Sequence, residues 1–232
     1  MSHRTYRHEM KYYINALGLR ELKTRLRLSM DRDPFADDAG NYHVRSLYFD
    51  DAYDRASLEK LAGTMERKKY RLRIYDFDEG ENVRLECKQK RGNAIYKRSQ
   101  RMDARTVDAL LWNEISPDFG AEPLPLEKEL FAQRAAEGLR PAVIVDYVRE
   151  AFVMPYQDIR ITFDKELAVG LNKTGLFDRG LPTMPVLEPG LSILEVKFND
   201  HLPAYYHDLL QGIAVERSAL SKYLICRSWV SW

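Results

Sequence analysis

Arginine recurs on every second position of KKYRLRIYDF, residues 68–77. Arg71 and Arg73 share one side of an extended chain, and Tyr70, Leu72 and Ile74 share the other. A guanidinium is planar, permanently charged and able to grip phosphate oxygens two at a time. The same asymmetry returns in six further stretches. Arg7, Glu9 and Lys11 align in RHEMKYYI, Arg84, Glu86 and Lys88 in NVRLECKQK, and Lys97, Ser99 and Arg101 in IYKRSQRM. Val145, Tyr147 and Arg149 align in VIVDYVREAF, Arg160, Thr162 and Asp164 in IRITFDKEL, and Glu195 with Lys197 in ILEVKF. An ordinary solvated face mixes charge signs among Ser, Thr and Gln. These positions instead carry a surplus of about seven positive charges in a chain of net charge +1. Such segregation costs self-repulsion unless an anion neutralises it, and an array of Arg and Lys over several strands suits linked phosphates better than one carboxylate.

Other chemistry is sparsely represented. There is no GxxxxGK[ST] loop to cradle phosphates. The five histidines show no ligand spacing, and Cys87 and Cys226 make neither a disulfide framework nor a zinc site. Glu9, Glu86 and Glu195 are the hard oxygen donors that a divalent Mg or Mn ion takes. For Glu9 and Glu86, ion pairing with neighbouring Arg and Lys is the equal alternative.

Strands must position these residues. Alternating segments lie at 5–15, 43–50, 68–78, 82–91, 94–102, 142–154, 158–168 and 191–198, and turn signals at 78–82, 91–93 and 154–158 separate several. Hence 68–102 reads as a three-strand meander and 142–168 as a hairpin. Helical periodicity marks 16–30, 53–61, 104–114, 125–138 and 203–214. Pro and Gly cluster at 116–125 and 170–190, the latter a long surface loop. About eight mostly antiparallel strands with intervening helices give an α+β fold. Eight strands also close a small barrel. The expectation is a closed antiparallel barrel, a tunnel with charges inside and helices packed outside, forming a single domain over 1–232.

Composition excludes several classes. Net charge +1 argues against a simple nucleic-acid or membrane-surface protein. The polar start MSHRTYRHEMKYY reads as neither signal peptide nor anchor, and no run reaches the ~20 apolar residues of a membrane span. With two unpaired cysteines, a cytoplasmic protein with reduced thiols is expected.

RHEMKYYI, RSLYFDD, KKYRLRIYDF, LECKQK, DYVREAF, RITFDKEL, ILEVKF and ALSKY, in that order, resemble the triphosphate tunnel fold, and within it most closely the VTC domain of polyphosphate polymerases. The resemblance implies that Lys11, Lys60, Arg71, Arg73, Lys88, Lys97, Tyr147, Arg149 and Arg160 line the tunnel. It implies that Glu195 holds a divalent metal and that Ser221 and Lys222 close the mouth. Lys197, beside Glu195, joins the substrate-binding set. Arg7 stands where many tunnel enzymes carry the first carboxylate of Glu-x-Glu-x-Lys, and Ala219 where a further lysine is expected. The activity implied is transfer of the ATP γ-phosphate, or that of another nucleoside triphosphate, to polyphosphate. The rivals are a triphosphatase of the same fold and a non-catalytic binder of polyphosphate or RNA. RNA readers interleave stacking aromatics with the basic residues. Here Tyr12, Tyr70, Phe163 and Phe198 fall on the opposite face, with Tyr75 and Tyr147 as exceptions.

Overall fold

A computed structural model describes residues 7–77, 82–92, 94–112, 124–154, 158–199, 201–213 and 215–230, without the side chains of Arg7 and Ala104. The expected turns at 78–82 and 154–158 and the 116–125 stretch fall mostly outside these residues, as does position 93 of the turn expected at 91–93. The strands are β1 (Arg7–Asn15), β2 (Asp31–Arg32), β3 (Asn41–Asp50), β4 (Glu66–Tyr75), β5 (Arg84–Arg91), β6 (Ala94–Arg101), β7 (Arg140–Met154), β8 (Ile159–Gly170), β9 (Thr183–Pro185), β10 (Leu191–Asn199) and β11 (Val215–Arg217). The helices are α1 (Ala16–Leu26), α2 (Arg55–Leu61), α3 (Ala104–Leu111), α4 (Pro125–Glu137), α5 (Ala204–Leu210) and α6 (Lys222–Trp229). No helix among the described residues is long and apolar enough to cross a membrane.

Two compact units divide the chain. Unit 1 takes residues 1–43, 147–167 and 185–221; unit 2 takes 44–146, 168–184 and 222–232. In unit 1 the ladder order is β11-β1-β10-β8-β7, with β2 on β7; in unit 2 it is β7-β3-β4-β5-β6, the β4-β5-β6 meander among them. The α+β class and the antiparallel pairing are as the sequence implies. The closed eight-stranded barrel is not: among the described residues there are eleven strands, and no ladder joins β11 to β6. Closure requires the terminal strands to pair. β11 has only three residues, and β6 exposes a row of Lys and Arg, both features that protect an edge from pairing.

Period-2 alternation puts the apolar half of each strand under helices. In unit 2, Leu47, Phe49, Tyr70, Leu72, Ile74, Leu85 and Cys87 pack with Val107 and Leu110 of α3 and Leu126, Leu130 and Phe131 of α4. In unit 1, Phe152, Ile161, Phe163, Leu194, Val196 and Phe198 pack with Leu22 and Leu26 of α1 and Tyr206 of α5. A buried Leu or Phe contributes about 1.5–3 kcal/mol relative to exposure, so these cores fix which strand face turns away from the helices. Helix starts are set locally. Asn15 accepts the Gly18 N–H at 2.8 Å to cap α1, and Asp103 accepts the Thr106 N–H at 3.0 Å to cap α3.

Candidate anion and metal site

Register turns the charge alternation into a two-dimensional array. Across β4, β5 and β6 of unit 2, Lys69 faces Lys88, which faces Lys97; Arg71 faces Glu86, which faces Ser99; and Arg73 faces Arg84, which faces Arg101. Directly opposed residues share a face. Seven of these nine positions are cationic and one, Glu86, is a carboxylate. Like charges directly opposed destabilise a sheet, so this array is self-repelling as built.

Glu86 is the hub of what neutralisation exists. Its buried carboxylate accepts from Arg71 Nε at 2.7 Å and from Lys97 Nζ at 2.5 Å, with Arg73 Nη1 at 3.7 Å. Burial alone would raise its pKa, but Arg71, Arg73 and Lys97 hold it well below the usual carboxylate range. β3 supports the arginines from the other side. Tyr48 OH accepts from Arg71 Nη1 at 2.6 Å, and Ser46 Oγ accepts from Arg73 Nε at 3.0 Å. Burial would raise the Tyr48 phenol too, but Arg71, Arg73 and Lys222 of α6 pull it down, a sign of the positive potential here. Arg71 also lies 5.5 Å over the Tyr48 ring and Arg73 5.9 Å over Tyr75.

Unit 1 gathers a different set. Glu9 faces Lys197 and Lys11 faces Glu195 across β1 and β10; Glu195 faces Thr162, and Lys197 faces Arg160, across β10 and β8. The Glu195 carboxylate, 3% exposed, accepts from Lys197 Nζ at 2.7 Å and Lys11 Nζ at 3.0 Å, with Arg149 Nη2 at 3.8 Å. Glu9 Oε1 lies 3.5–3.6 Å from the same two ammonium groups. Arg149 donates to both oxygens of fully buried Asp164, at 2.6 and 2.8 Å, and sits 5.3 Å over the Tyr147 ring. Burial would lower the Arg149 pKa, but Asp164, Tyr147 and Glu195 push it well above its ordinary value. Arg160 donates to Asp33 Oδ2 at 2.5 Å and to Tyr42 OH at 2.6 Å. Lys197 is pushed down to about 8 by burial, which Glu195 and Glu9 only partly offset.

The donor chemistry of unit 1 fits a divalent ion. Glu195 and Glu9 present hard oxygens to the same two lysines, and Mg²⁺ is commonly held by one or two carboxylates with water and phosphate completing its shell. Thr162, opposite Glu195, buries its Oγ1 without a hydrogen-bond partner, leaving polar capacity beside the carboxylates. No group of three or more His, Cys, Asp or Glu among the described residues forms a protein-only cage.

The sequence profile of the VTC domain matches residues 6–230. The chain belongs to the VTC domain family. No curated protein matches it significantly in sequence. Among solved structures, a candidate adenylate cyclase from Bacillus halodurans is similar with a TM-score of 0.55 at 11% identity, covering 94% of each chain. A second candidate adenylate cyclase, from Vibrio parahaemolyticus, has a TM-score of 0.50 at 11% identity, covering 95% of this chain and 97% of that one. At such identities the likeness concerns the fold.

In this VTC domain the residues singled out in the sequence fall into both units. Unit 2 holds Arg71, Arg73, Glu86, Lys88 and Lys97 in one array, with half-buried Lys60 on α2 and Lys222 opening α6. Unit 1 holds Glu9, Lys11, Tyr147, Arg149, Arg160, Glu195 and Lys197, and ends at Ser221. All three candidate metal ligands make ion pairs with neighbouring cations: Glu9 and Glu195 share Lys11 and Lys197, and Glu86 meets Arg71, Arg73 and Lys97. Sequence reasoning passed over Lys69, Ser46, Tyr48, Tyr42 and Asp33. Lys69 was detectable, because it has the parity of Arg71 and Arg73. Asp33 follows two-residue β2, too short to read from alternation.

Proposed function

We propose that this VTC domain is a nucleotide-dependent polyphosphate polymerase that transfers the γ-phosphate of ATP to a growing polyphosphate chain. The observation that carries the reading is the unit 2 array, seven cations to one carboxylate, whose repulsion a chain of linked phosphates relieves. In unit 2, Arg71, Arg73 and Lys88 of that array would grip phosphates, and in unit 1 Arg149 and Arg160 would do the same. Lys11, Lys60, Lys97, Lys197, Ser221 and Lys222 would extend the contact along the polyanion, with Tyr147 supporting Arg149. Glu195, with Glu9, would hold Mn²⁺ or Mg²⁺, which when bound neutralises charge on phosphate oxygens. The nucleophile is a terminal phosphate oxygen, already ionised at neutral pH, so no protein base is needed. Positioning and fixed charge carry the catalysis.

A triphosphatase needs an activated water and further carboxylates around the ion. Here Asp164 is engaged by Arg149 and Asp33 by Arg160, which favours the polymerase. Tyr48, Tyr75 and Tyr147 each lie beside a guanidinium, an arrangement that favours phosphate over stacked RNA bases. The test is incubation with ATP and Mn²⁺, with product sized on a gel and free phosphate measured in parallel. Acid-insoluble polymer is the expected result; free phosphate alone points to the triphosphatase, and neither product to a binder.

A further inference from the structure

Lys69 differs from Arg71, Arg73 and Lys97 of the unit 2 array. Arg71, Arg73 and Lys97 all share Glu86, and Arg71 and Arg73 lean on Tyr48 and Ser46. Lys69 is half-buried on the same face, yet among the described residues no carboxylate lies within ion-pair distance of it. Its ammonium instead sits 4.2 Å over the ring of Tyr223 on α6. The groups around it are mostly of its own sign: Lys88 opposite on β5, Lys60 on α2 and Arg67 on β4. The acid whose field acts most strongly on it is Asp50, at the end of β3. That acid is already engaged, accepting from the Tyr223 hydroxyl and from the backbone N–H groups of Ala56 and Ser57. Tyr223 is thereby anchored at both ends, its hydroxyl on Asp50 and Ser57 and its ring tilted against Tyr48 at 5.0 Å. The platform under Lys69 is fixed, and the face it points along is the face of Arg71 and Arg73.

We propose that Lys69 is the residue through which polyanion binding at this array is coupled to the uptake of a proton. Burial, with Lys60, Arg67 and Lys88 nearby, holds the free amine down at about 7, against the weaker pull of Asp50. An arriving phosphate supplies the negative charge that Lys69 lacks and favours its ammonium form. Above the free value, binding must therefore bring a proton with it. The affinity that Lys69 contributes falls by up to about tenfold per pH unit until the bound value is reached. Arginine at this position remains charged throughout. The proposal rests on the phosphate-binding reading of the array and adds its regulation by pH.

The experiment is calorimetric titration of the native protein with tripolyphosphate at about pH 6 and about pH 8.5. Each pH is run in two buffers of different ionisation enthalpy, so that bound protons are counted. The same titrations are run on Lys69→Arg and Lys69→Met, with folding checked by thermal melting. The native protein is expected to take up close to one more proton per site at the higher pH and to bind more weakly there. Lys69→Arg should lose that extra proton and bind more tightly than native at the higher pH, the ligand's own titration being common to both. Lys69→Met should bind weakly at both and also lose the extra proton. The proposal is overturned if Lys69→Arg keeps the native proton count, or if native protein shows no extra uptake at the higher pH, which needs no variant to fold. Absence of tripolyphosphate binding at either pH defeats the phosphate-binding reading itself.

Discussion

Unit 1 and unit 2 present charged sheet faces built by the same alternation, but with different charge balance. In unit 1, Lys11, Arg149, Arg160 and Lys197 meet Glu9, Asp33, Asp164 and Glu195, one acid for each base. In unit 2, the nine facing positions of the β4-β5-β6 array hold seven cations and one carboxylate, Glu86. In unit 1, those eight groups balance one another before any ligand arrives, and two of the carboxylates, Glu9 and Glu195, share Lys11 and Lys197. The unit 2 face carries a surplus of positive charge that a bound polyanion would offset. A strand pattern of alternating charge therefore specifies a face, and the carboxylates interleaved in it set that face's charge balance.

The comparison breaks most sharply at Glu195. Glu195→Gln should lose essentially all Mn²⁺-dependent turnover while tripolyphosphate binding to the native-like fold survives, because the unit 2 array is untouched. Full turnover in this variant refutes the metal assignment. A collapse in melting temperature would instead make Glu195 a structural partner of Lys11 and Lys197, since a buried charge left unpaired costs several kcal/mol.

Stability should separate the faces next. Asp164→Asn strips the buried Arg149 of its two-point partner and should destabilise by about 3–5 kcal/mol in a denaturant titration. Arg71→Ala removes one of several like charges around Glu86, and its unfolding midpoint should move little or rise. Its cost should appear in binding, where one charge-assisted grip is typically worth ~1.5–3 kcal/mol, about one to two orders of magnitude in affinity. Arg71→Lys should be impaired as well, because the forked geometry is lost while the charge stays. Equal destabilisation by Asp164→Asn and Arg71→Ala would contradict the contrast.

The smallest effect concerns acid. Glu86 titrates lower in the folded protein than in the unfolded chain, so its stabilisation is fully present above the ordinary carboxylate range of about 4.3. It is lost as pH falls from there toward the depressed folded value. Denaturant titrations across that window should show native stability falling more steeply than that of Glu86→Gln; parallel profiles would mean the three cations do not stabilise this carboxylate.

The sequence exposed what is local and hid what is not. Period 2 is visible within a single strand, so the parity of Arg71 and Arg73, of Glu86 and Lys88, and of Glu195 and Lys197 could be read directly, as could the helices that cover the opposite face. Short elements escaped: β2, β9 and β11 have two or three residues, and α6 begins at Lys222 in a stretch first valued for its family motif. Barrel closure was misjudged because it depends on whether terminal strands pair, which no strand's own residues state. The partners that set electrostatics were also out of reach. Tyr223 comes to Lys69 and Asp50 from more than 150 residues along the chain, and Asp33 comes to Arg160 from 127 residues away.

The central claim is that the unit 2 array is a binding face for linked phosphates, and it is tested most directly by thermal melting with and without millimolar tripolyphosphate. The native protein should melt at a higher temperature with the ligand, by the mass-action stabilisation that any native-state ligand gives. Arg71→Ala and Arg73→Ala should show a smaller shift at the same concentration. An unchanged native melting temperature, or equal shifts in native protein and both variants, would contradict the claim and leave Arg71 and Arg73 as structural partners of buried Glu86.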